Sequence, residues 1–249
     1  MTERQTKILE MVNEQKKIEV NQLSETLGVS QVTIRKDLDA LEEKGLLKRE
    51  HGYAVICNTD DISNRMAVRY DIKVNIAAKA AELVSDGETV MIESGSSCAL
   101  LAEYLAGKKK DVTIITNSAF IARHIRESAA GKTVLLGGDY QKESEVMVGP
   151  LVRKCAREFY VDKFFMGTDG FIPQAGFTCG DMMRAEAMKN MAESAKHSII
   201  LTDSSKFAQQ GVVLQCRLDE INMVVTDTGI PEDARKILEQ NRVAVEMAK

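Results

Sequence analysis

The clearest periodic pattern in the chain covers residues 30–41, where apolar and polar positions separate onto two sides of a helix. Ile34, Leu38 and Leu41 are spaced by about one helical turn, which places all three on one side of an α-helix. Ser30 precedes the periodic run and can cap the free amide groups of the first turn. The pattern therefore predicts a short helix with one apolar side and one polar side.

Two amphipathic segments precede this helix, and a pair of strand-like runs follows it. Residues 4–15 and 21–27 carry apolar side chains at helical spacing. Two short apolar runs flank His51-Gly52, where the glycine permits a tight turn. Three helices followed by a hairpin are the elements of a winged helix-turn-helix, and we predict this unit over residues 1–57.

The pattern changes twice after residue 57. Residues 58–72 open with the polar sequence Asn-Thr-Asp-Asp-Ile-Ser-Asn, which is typical of a linker. From residue 73 onward, helical segments alternate with short apolar runs of strand length. This alternation predicts an α/β domain with a mostly parallel sheet over residues 73–249.

The length of 249 residues is enough for two domains, of which one is large. The chain has no apolar run of about 18 residues, so we expect no transmembrane helix, and its polar first residues have no signal-peptide core. The five cysteines and three histidines are scattered, without a C-x-x-C pair. This distribution favours reduced thiols in a cytoplasmic protein over a disulfide framework or a metal site, and we expect no cofactor.

The net charge gives no support for nucleic-acid binding, because it is −4 for the whole chain. Within residues 1–57, nine basic residues are opposed by ten acidic ones. Only a local basic patch could supply the phosphate contacts that dominate affinity for DNA. Five basic residues are close enough in sequence to form such a patch: Arg35, Lys36, Lys44, Lys48 and Arg49.

The geometry of a helix-turn-helix suggests which residues meet DNA. Its second helix lies in the major groove with its first residues at the base edges, so Gln31 and Thr33 are candidates for base reading, with Ser30 at the helix start. Arg35 could read a guanine edge or hold a phosphate. Its alternative is an ion pair within the domain, with Asp39 four residues later.

The remaining DNA candidates are a second group of basic residues. Lys36, Lys48 and Arg49 are expected to hold phosphates and so to position the protein on the duplex. His51, at the tip of the predicted wing, could contact the DNA backbone or the minor groove. It could equally be a plain turn residue.

Three stretches of the N-terminal part carry a distinctive combination of residue types and spacing. They are Leu27-Gly28-Val29-Ser30, Thr33-Ile34-Arg35-Lys36-Asp37-Leu38 and Arg49-Glu50-His51-Gly52-Tyr53-Ala54. Together they resemble the DeoR family of bacterial transcriptional regulators. Tyr53 stands where this family usually has a second glycine.

The rest of the chain carries further motifs of the same family. They are Glu93-Ser94-Gly95-Ser96-Ser97, Thr116-Asn117-Ser118, Leu136-Gly137-Gly138, Phe165-Met166-Gly167-Thr168-Asp169-Gly170, Gly176-Phe177-Thr178 and Asp203-Ser204-Ser205-Lys206. These stretches resemble the family's sugar-phosphate sensor domain, which shares its fold with ribose-5-phosphate isomerase. Glu93 stands where the family typically has Asp, and Ser96-Ser97 replaces a more usual pair of threonines.

A strand followed by Ser94-Gly95-Ser96-Ser97 and a helix is an arrangement that binds phosphate. Gly95 lets the backbone approach the ligand, the helix N-terminus offers unpaired amides, and the serine hydroxyls add hydrogen bonds. The alternative is an ordinary turn between strand and helix with a serine cap. The resemblance favours the anion-binding interpretation.

Three more residues are candidates for effector binding. Lys206 follows a strand, where ligands of α/β sheets bind, and it could pair with a phosphate; its alternative is a solvated lysine. Asp169 could hold a sugar hydroxyl or simply form the Asp-Gly turn. Asn117 could reach the ligand or cap the next helix.

Two functions of different classes fit this organisation. The first is a DNA-binding transcriptional regulator, which we expect to repress a carbohydrate-utilisation operon. Its partners would be operator DNA and a phosphorylated sugar or polyol, and we expect a homodimer or tetramer because operators are usually read by symmetric oligomers.

The second function is a sugar-phosphate isomerase with an N-terminal appendage. The isomerase pattern has an Asp three residues before Asp169 and a Lys shortly after it. Here Met166 occupies the first position, and no lysine lies between Lys163 and Lys189. We therefore expect the pocket to persist without the groups for proton transfer.

Overall fold

The structure, a computed structural model, describes residues 2–43, 46–56, 61–128 and 131–249. The chain forms two compact units, Met1–Tyr70 and Asp71–Lys249, called here the N-terminal and C-terminal units. Residues 57–60, which include Cys57 and the predicted start of the linker, lie outside the described residues.

The N-terminal unit is the predicted winged helix-turn-helix. Its elements are α1 (Glu3–Gln15), β1 (Lys17–Glu19), α2 (Val20–Leu27), α3 (Gln31–Glu43), β2 (Leu47–Glu50), β3 (Tyr53–Ile56) and α4 (Ile62–Ala67). β2 and β3 form the expected hairpin. β1 adds an antiparallel third strand beside β3, which the sequence pattern did not predict.

The apolar side of α3 forms much of the core of this unit. Ile34, Leu38 and Leu41 are fully buried in one hydrophobic cluster with residues of α1 and α2. Asp37, on the same side of the helix, is buried and accepts hydrogen bonds from the side chains of Arg4 and Gln5 in α1. These contacts hold α3 against α1 and leave its opposite side exposed.

The stretch predicted as a linker contains α4, which belongs to the N-terminal unit. Asp61 caps this helix by accepting hydrogen bonds from the amides of Ser63 and Asn64. Ala67 is fully buried in the same hydrophobic cluster as the α3 residues. The polar opening of the stretch concealed this helix, because Asp61 is a cap residue and not a sign of disorder.

The C-terminal unit alternates strands and helices, as predicted. Its larger elements are α5 (Tyr70–Ala81), β4 (Thr89–Ile92), α6 (Ser96–Lys108), β5 (Thr113–Thr116), α7 (Ala119–His124), β6 (Lys132–Leu135), β7 (Asp139–Gln141), β8 (Val146–Val148), α8 (Pro150–Ala156), β9 (Val161–Met166), β10 (Gly170–Ile172), β11 (Gly176–Cys179), α9 (Met182–Ala192), β12 (Ala195–Leu201), β13 (Val213–Arg217), β14 (Met223–Asp227), α10 (Glu232–Gln240) and β15 (Ala244–Ala248). Among the described helices, none is both long and apolar enough to cross a membrane.

Seven of the described strands form one parallel sheet in the order β15-β14-β12-β9-β4-β5-β6. This confirms the predicted α/β architecture. Two small antiparallel sheets, β10-β11-β13 and β7-β8, were not predicted. Their strands are short, and their partners are set by tertiary contacts that local periodicity does not report.

The order of strands reverses between β4 and β9. From β4 the chain continues to β5 and β6 on one side, whereas β9 is followed by β12 and β14 on the other. In open parallel sheets, ligands bind outside the carboxyl ends of the strands at such a reversal. The loops that follow β5, β4, β9 and β12 lie along this edge of the sheet, and the predicted effector residues are all in those loops or the helix starts beside them.

Candidate functional site

The start of α3 has the geometry that its sequence predicted. The Oγ of Ser30 accepts a hydrogen bond from the Thr33 amide at 3.3 Å, which makes Ser30 the cap of the helix. The Ser30 and Thr33 hydroxyls also lie 3.0 Å apart. Both residues therefore fix the beginning of the helix, and the Thr33 hydroxyl is partly engaged by this cap.

The exposed side of α3 presents Gln31, Arg35 and Lys36 to solvent. The alternative role considered for Arg35, an ion pair with Asp39, is not formed. Asp39 Oδ1 instead contacts Nη2 of Arg49 at 2.8 Å. Within the described part of the chain, Arg35 and Lys36 have no ion-pair partner, so their charges are available to a polyanion.

Among the described residues of the wing, Lys48 has no ion-pair partner, whereas Arg49 is already paired. Lys48 is exposed on β2. The guanidinium of Arg49 contacts Asp39 and, at 3.4 Å, Glu42, so a phosphate would have to compete with two carboxylates. His51 is exposed in the two-residue turn with φ of 47°, a left-handed conformation typical of this kind of hairpin turn.

In the C-terminal unit, Glu93 organises the loop between β4 and α6. Its Oε2 accepts hydrogen bonds from the amides of Gly95 at 2.7 Å and Gly167 at 3.2 Å. Its Oε1 accepts a hydrogen bond from the hydroxyl of Ser94 at 2.6 Å. The buried carboxylate thus holds together the loops that follow two neighbouring strands, β4 and β9.

These two loops approach so closely that a side chain at Gly95 would be tightly packed. A Cβ atom on Gly95 would lie 3.2 Å from the Cα of Gly167 and 3.1 Å from the Glu93 carboxylate. Gly95 precedes α6 and provides no side-chain cap. The first amides of α6 have no acceptor within the helix, and Ser96 and Ser97 contribute hydroxyls at this positive end of the helix dipole.

Gln215, which the sequence pattern did not predict, binds the β9 loop at the same contact. Its Nε2 donates a hydrogen bond of 2.8 Å to the carbonyl oxygen of Gly167. The residue is 1% exposed, and its Oε1 has no hydrogen-bond partner among the described residues. The signal was a single polar residue within the apolar run Val-Val-Leu-Gln-Cys, because a buried polar side chain needs a specific partner.

Asn117 follows β5 but does not cap the next helix. Ser118 has that role, since its Oγ accepts a hydrogen bond from the Ile121 amide. The Nδ2 of Asn117 donates a hydrogen bond to the carbonyl oxygen of Met147 in β8. Asn117 is 1% exposed, and its Oδ1 has no partner among the described residues, which leaves one acceptor at this edge of the sheet.

Asp169 and Lys206 occupy the loops after β9 and β12. Oδ2 of Asp169 accepts a hydrogen bond of 2.9 Å from the Gly180 amide, and this bond supports a turn role. Lys206 lies in a short 3-10 helix, Ser204–Ala208, and its Nζ contacts Oε1 of Gln209 at 3.0 Å. The structure therefore places every predicted effector residue along one edge of the sheet, where it brings the β4 and β9 loops into direct contact. Just beyond the β9 loop, the amide of Phe171 also donates a hydrogen bond of 2.8 Å to the carbonyl oxygen of Gln209, in the segment after β12.

A cavity of about 520 Å³ lies in the C-terminal unit on the side of Gln215. It is lined by residues of α9, β12 and β13, including Lys189, Lys196 and Gln215, and by none of the predicted effector residues. Among the described residues, no group of His, Cys, Asp or Glu side chains is arranged to hold a metal ion.

Comparisons with known proteins cover both units. The DeoR C-terminal sensor domain matches residues 47–228, and the DeoR-like helix-turn-helix domain matches residues 4–60. A transcriptional repressor of Agrobacterium fabrum, AccR, is 29% identical over 94% of this chain and 95% of its own length. The L-fucose operon activator of Haemophilus influenzae is 29% identical over 98% of both chains.

Among solved structures, ribose 5-phosphate isomerase A of Methanocaldococcus jannaschii shares 22% identity with a TM-score of 0.42, over 56% of this chain and 55% of that chain. The sensor-domain match alone covers more than half of the chain, and the helix-turn-helix match covers the unit whose α3 presents free cations. The chain therefore belongs to the DeoR family of transcriptional regulators.

Proposed function

We propose that this regulator represses a carbohydrate-utilisation operon, and that a phosphorylated sugar or polyol bound to the C-terminal unit changes its affinity for the operator. The observation that carries the proposal is the edge at the sheet reversal, where the Glu93 carboxylate joins the β4 and β9 loops beside the start of α6. The name of the H. influenzae relative, an L-fucose operon activator, supports a carbohydrate operon.

The phosphate would bind at the start of α6. The amides of Ser96 and Ser97 belong to the first helical turn, and a helix N-terminus favours a negatively charged group. Glu93 uses its oxygens on the amides of Gly95 and Gly167 and so shapes the loop without occupying those first-turn amides. Lys206, from the strand two places along the sheet, would supply the balancing positive charge.

The sugar part would extend toward the other loops of the same edge. The Oδ1 of Asn117 is an acceptor that a sugar hydroxyl could satisfy. Asp169, in the β9 loop, is the second candidate to accept a hydrogen bond from a sugar hydroxyl. Carboxylate and amide oxygens are suitable acceptors for a polyhydroxylated ligand.

The operator would be bound by the exposed side of α3 and by the wing. We assign base reading to Gln31 and Thr33, and phosphate contacts to Lys36 and Lys48, with Arg35 able to do either. Ser30 and His51 complete the proposed contact set, and Arg49 joins it only if phosphate displaces its carboxylate partners. The regulator would act as a homodimer or tetramer, matching a symmetric operator.

We infer that the chain is not an enzyme. Met166 and the absence of a lysine between Lys163 and Lys189 remove the groups that the isomerase pattern uses for proton transfer. The binding edge would then serve only to sense the ligand and to shift the population of DNA-competent arrangements. Robust interconversion of an aldose phosphate and a ketose phosphate by the purified protein would contradict this inference.

Thermal unfolding in the presence of a panel of sugar and polyol phosphates tests the effector site. A ligand at 100 times its dissociation constant stabilises the folded state by about 2.7 kcal/mol, so one member of the panel should raise the melting temperature. Ser96→Ala and Lys206→Ala should reduce that shift. Ser128→Ala and Lys142→Ala are matched controls, because both residues are exposed and lie outside the loops that follow β4, β5, β9 and β12.

The link between the two units is tested with the same ligand and an operator duplex. The ligand that stabilises the protein should change the affinity for the duplex, and Ser96→Ala should weaken this change while binding DNA normally without ligand. An identical thermal shift in Ser96→Ala, Lys206→Ala and their controls would show that the proposed binding edge is wrong.

A further inference from the structure

The recognition helix exposes one apolar side chain for which the fold gives no reason. Val32, the second residue of α3, is 62% exposed. Within the described part of the N-terminal unit, it is the only large hydrophobic residue with an exposed side chain. Its neighbours in sequence, Gln31 and Thr33, were the residues that the sequence pattern assigned to base reading.

Helical geometry places Val32 at the middle of the exposed side. Successive residues are separated by roughly 100° around the axis, so Val32 lies roughly 160° from the buried Ile34. The exposed residues one turn further along, Arg35 and Lys36, flank its direction on either side. A duplex that meets these two cations must therefore also meet the valine.

Folding does not account for a valine at this position. A β-branched residue is less favourable in a helix than alanine, and an exposed valine gains no compensating burial. The cap of α3 is formed by Ser30 and the Thr33 amide without it. Single exposed apolar residues are also common on protein surfaces without any function. An experiment must therefore distinguish a functional role of Val32 from such ordinary exposure.

We propose that Val32 contacts the C5-methyl group of a thymine in the operator and so selects for thymine at one position of each half-site. The first residues of a recognition helix meet base edges in the major groove. There the only apolar group that distinguishes one base from the others is the methyl of thymine. This inference rests on the proposed mode of DNA binding by α3 and adds a specificity-determining residue to it.

The test compares the loss of a methyl group on the DNA with the loss of methyl groups on the protein. The operator duplex is first selected from random sequence with the full-length wild-type protein. Each thymine is then replaced in turn by deoxyuridine, which lacks only the methyl group. Binding of wild type and Val32→Ala is measured by fluorescence anisotropy at one fixed salt concentration, because affinity for DNA depends steeply on salt.

We expect one thymine per half-site to respond differently in the two proteins. Deoxyuridine there should weaken wild-type binding about fourfold, the loss expected for about one buried methyl group, and should leave Val32→Ala unaffected. Gln31→Ala is the matched control and should keep the wild-type response at that thymine. Thermal unfolding should show that Val32→Ala is at least as stable as wild type, because the side chain is exposed and alanine is more favourable than valine in a helix.

Three results would overturn the assignment: equal responses of wild type and Val32→Ala at every thymine, insensitivity of all thymines, or a selected half-site without thymine. Failure of the proposed DNA binding is distinguishable from these results. In that case the selection would return no preferred duplex, and the role of Val32 would be rejected with it.

Discussion

The two candidate sites of this protein are built in opposite ways. The proposed DNA-contacting surface comes mainly from residues 30–36, at the start of one helix, and its side chains are largely exposed. The effector edge comes from loops after four strands, spread between Ser94 and Lys206, and most of its polar groups are buried. Apart from the Ser30 cap and the ion pairs of Arg49, the first site can change without affecting the fold, whereas the second shares most of its hydrogen bonds with the fold.

This difference has a physical origin in where the core lies. In α3, the buried side chains and the exposed cations point in opposite directions, so packing and recognition use separate groups. At the sheet edge, Glu93 accepts hydrogen bonds from three donors, two of which belong to the buried residues Ser94 and Gly95. Substitutions at the DNA surface should therefore affect binding alone, whereas substitutions at the sheet edge should affect both binding and stability.

The largest effect should come from the buried side of α3. Leu38→Ala removes a fully buried side chain and should lower the free energy of unfolding of the N-terminal unit by about 2–5 kcal/mol. Val32→Ala, on the exposed side of the same helix, is the matched control. Denaturant unfolding followed by circular dichroism measures both, and equal stability of the two variants would contradict the two-sided description of α3.

Glu93→Gln should have the next largest effect, and it should act on stability and ligand binding together. One of the two acceptor oxygens becomes a donor that faces other donors, which should cost about 1–3 kcal/mol of folding free energy. Thermal unfolding with and without the stabilising sugar phosphate measures both consequences. Glu127→Gln, at an exposed position, should change neither. Wild-type stability in Glu93→Gln would show that the carboxylate does not hold the two loops.

Arg35→Ala should weaken DNA binding and leave the fold intact. If Arg35 reads a base edge, the cost is about 1–3 kcal/mol on the operator alone. If it holds a phosphate, affinity falls similarly on all sequences, and the slope of affinity against salt falls by about one. Anisotropy titrations at several salt concentrations separate these outcomes. Unchanged affinity in a folded variant would remove Arg35 from the DNA surface.

The smallest expected effect is a difference in alkylation rate between cysteine thiols of the C-terminal unit. This rate depends on how deeply each thiol is buried. Burial, with the nearby Asp169 charge, raises the pKa of the Cys179 thiol to about 12. At pH 8 the reactive thiolate of Cys179 should then be roughly one part in ten thousand of the folded protein. Alkylation followed by mass spectrometry should modify the half-buried Cys155 long before Cys179. Equal rates in the native protein would contradict the burial of Cys179.

Short-range patterns were sufficient for most of the N-terminal unit. The apolar side of α3, its Ser30 cap and the hairpin at His51 all follow from residues within a few positions of one another. The prediction was incomplete where a distant partner matters. β1 gains its strand conformation by pairing with β3, and α4 is held by a core that lies outside its own sequence.

Sequence by itself determined the alternation of strands and helices, the family motifs and most of the residues that lie along the sheet edge. Only the tertiary structure decided which of them touch, because contacts between loops depend on the order of strands in the sheet. It paired Asp39 with Arg49, assigned the helix cap to Ser118 in place of Asn117, and brought Gln215 to Gly167 across 48 positions of the chain. Hydrogen bonds and ion pairs are chosen by proximity in space, and local sequence does not encode that proximity.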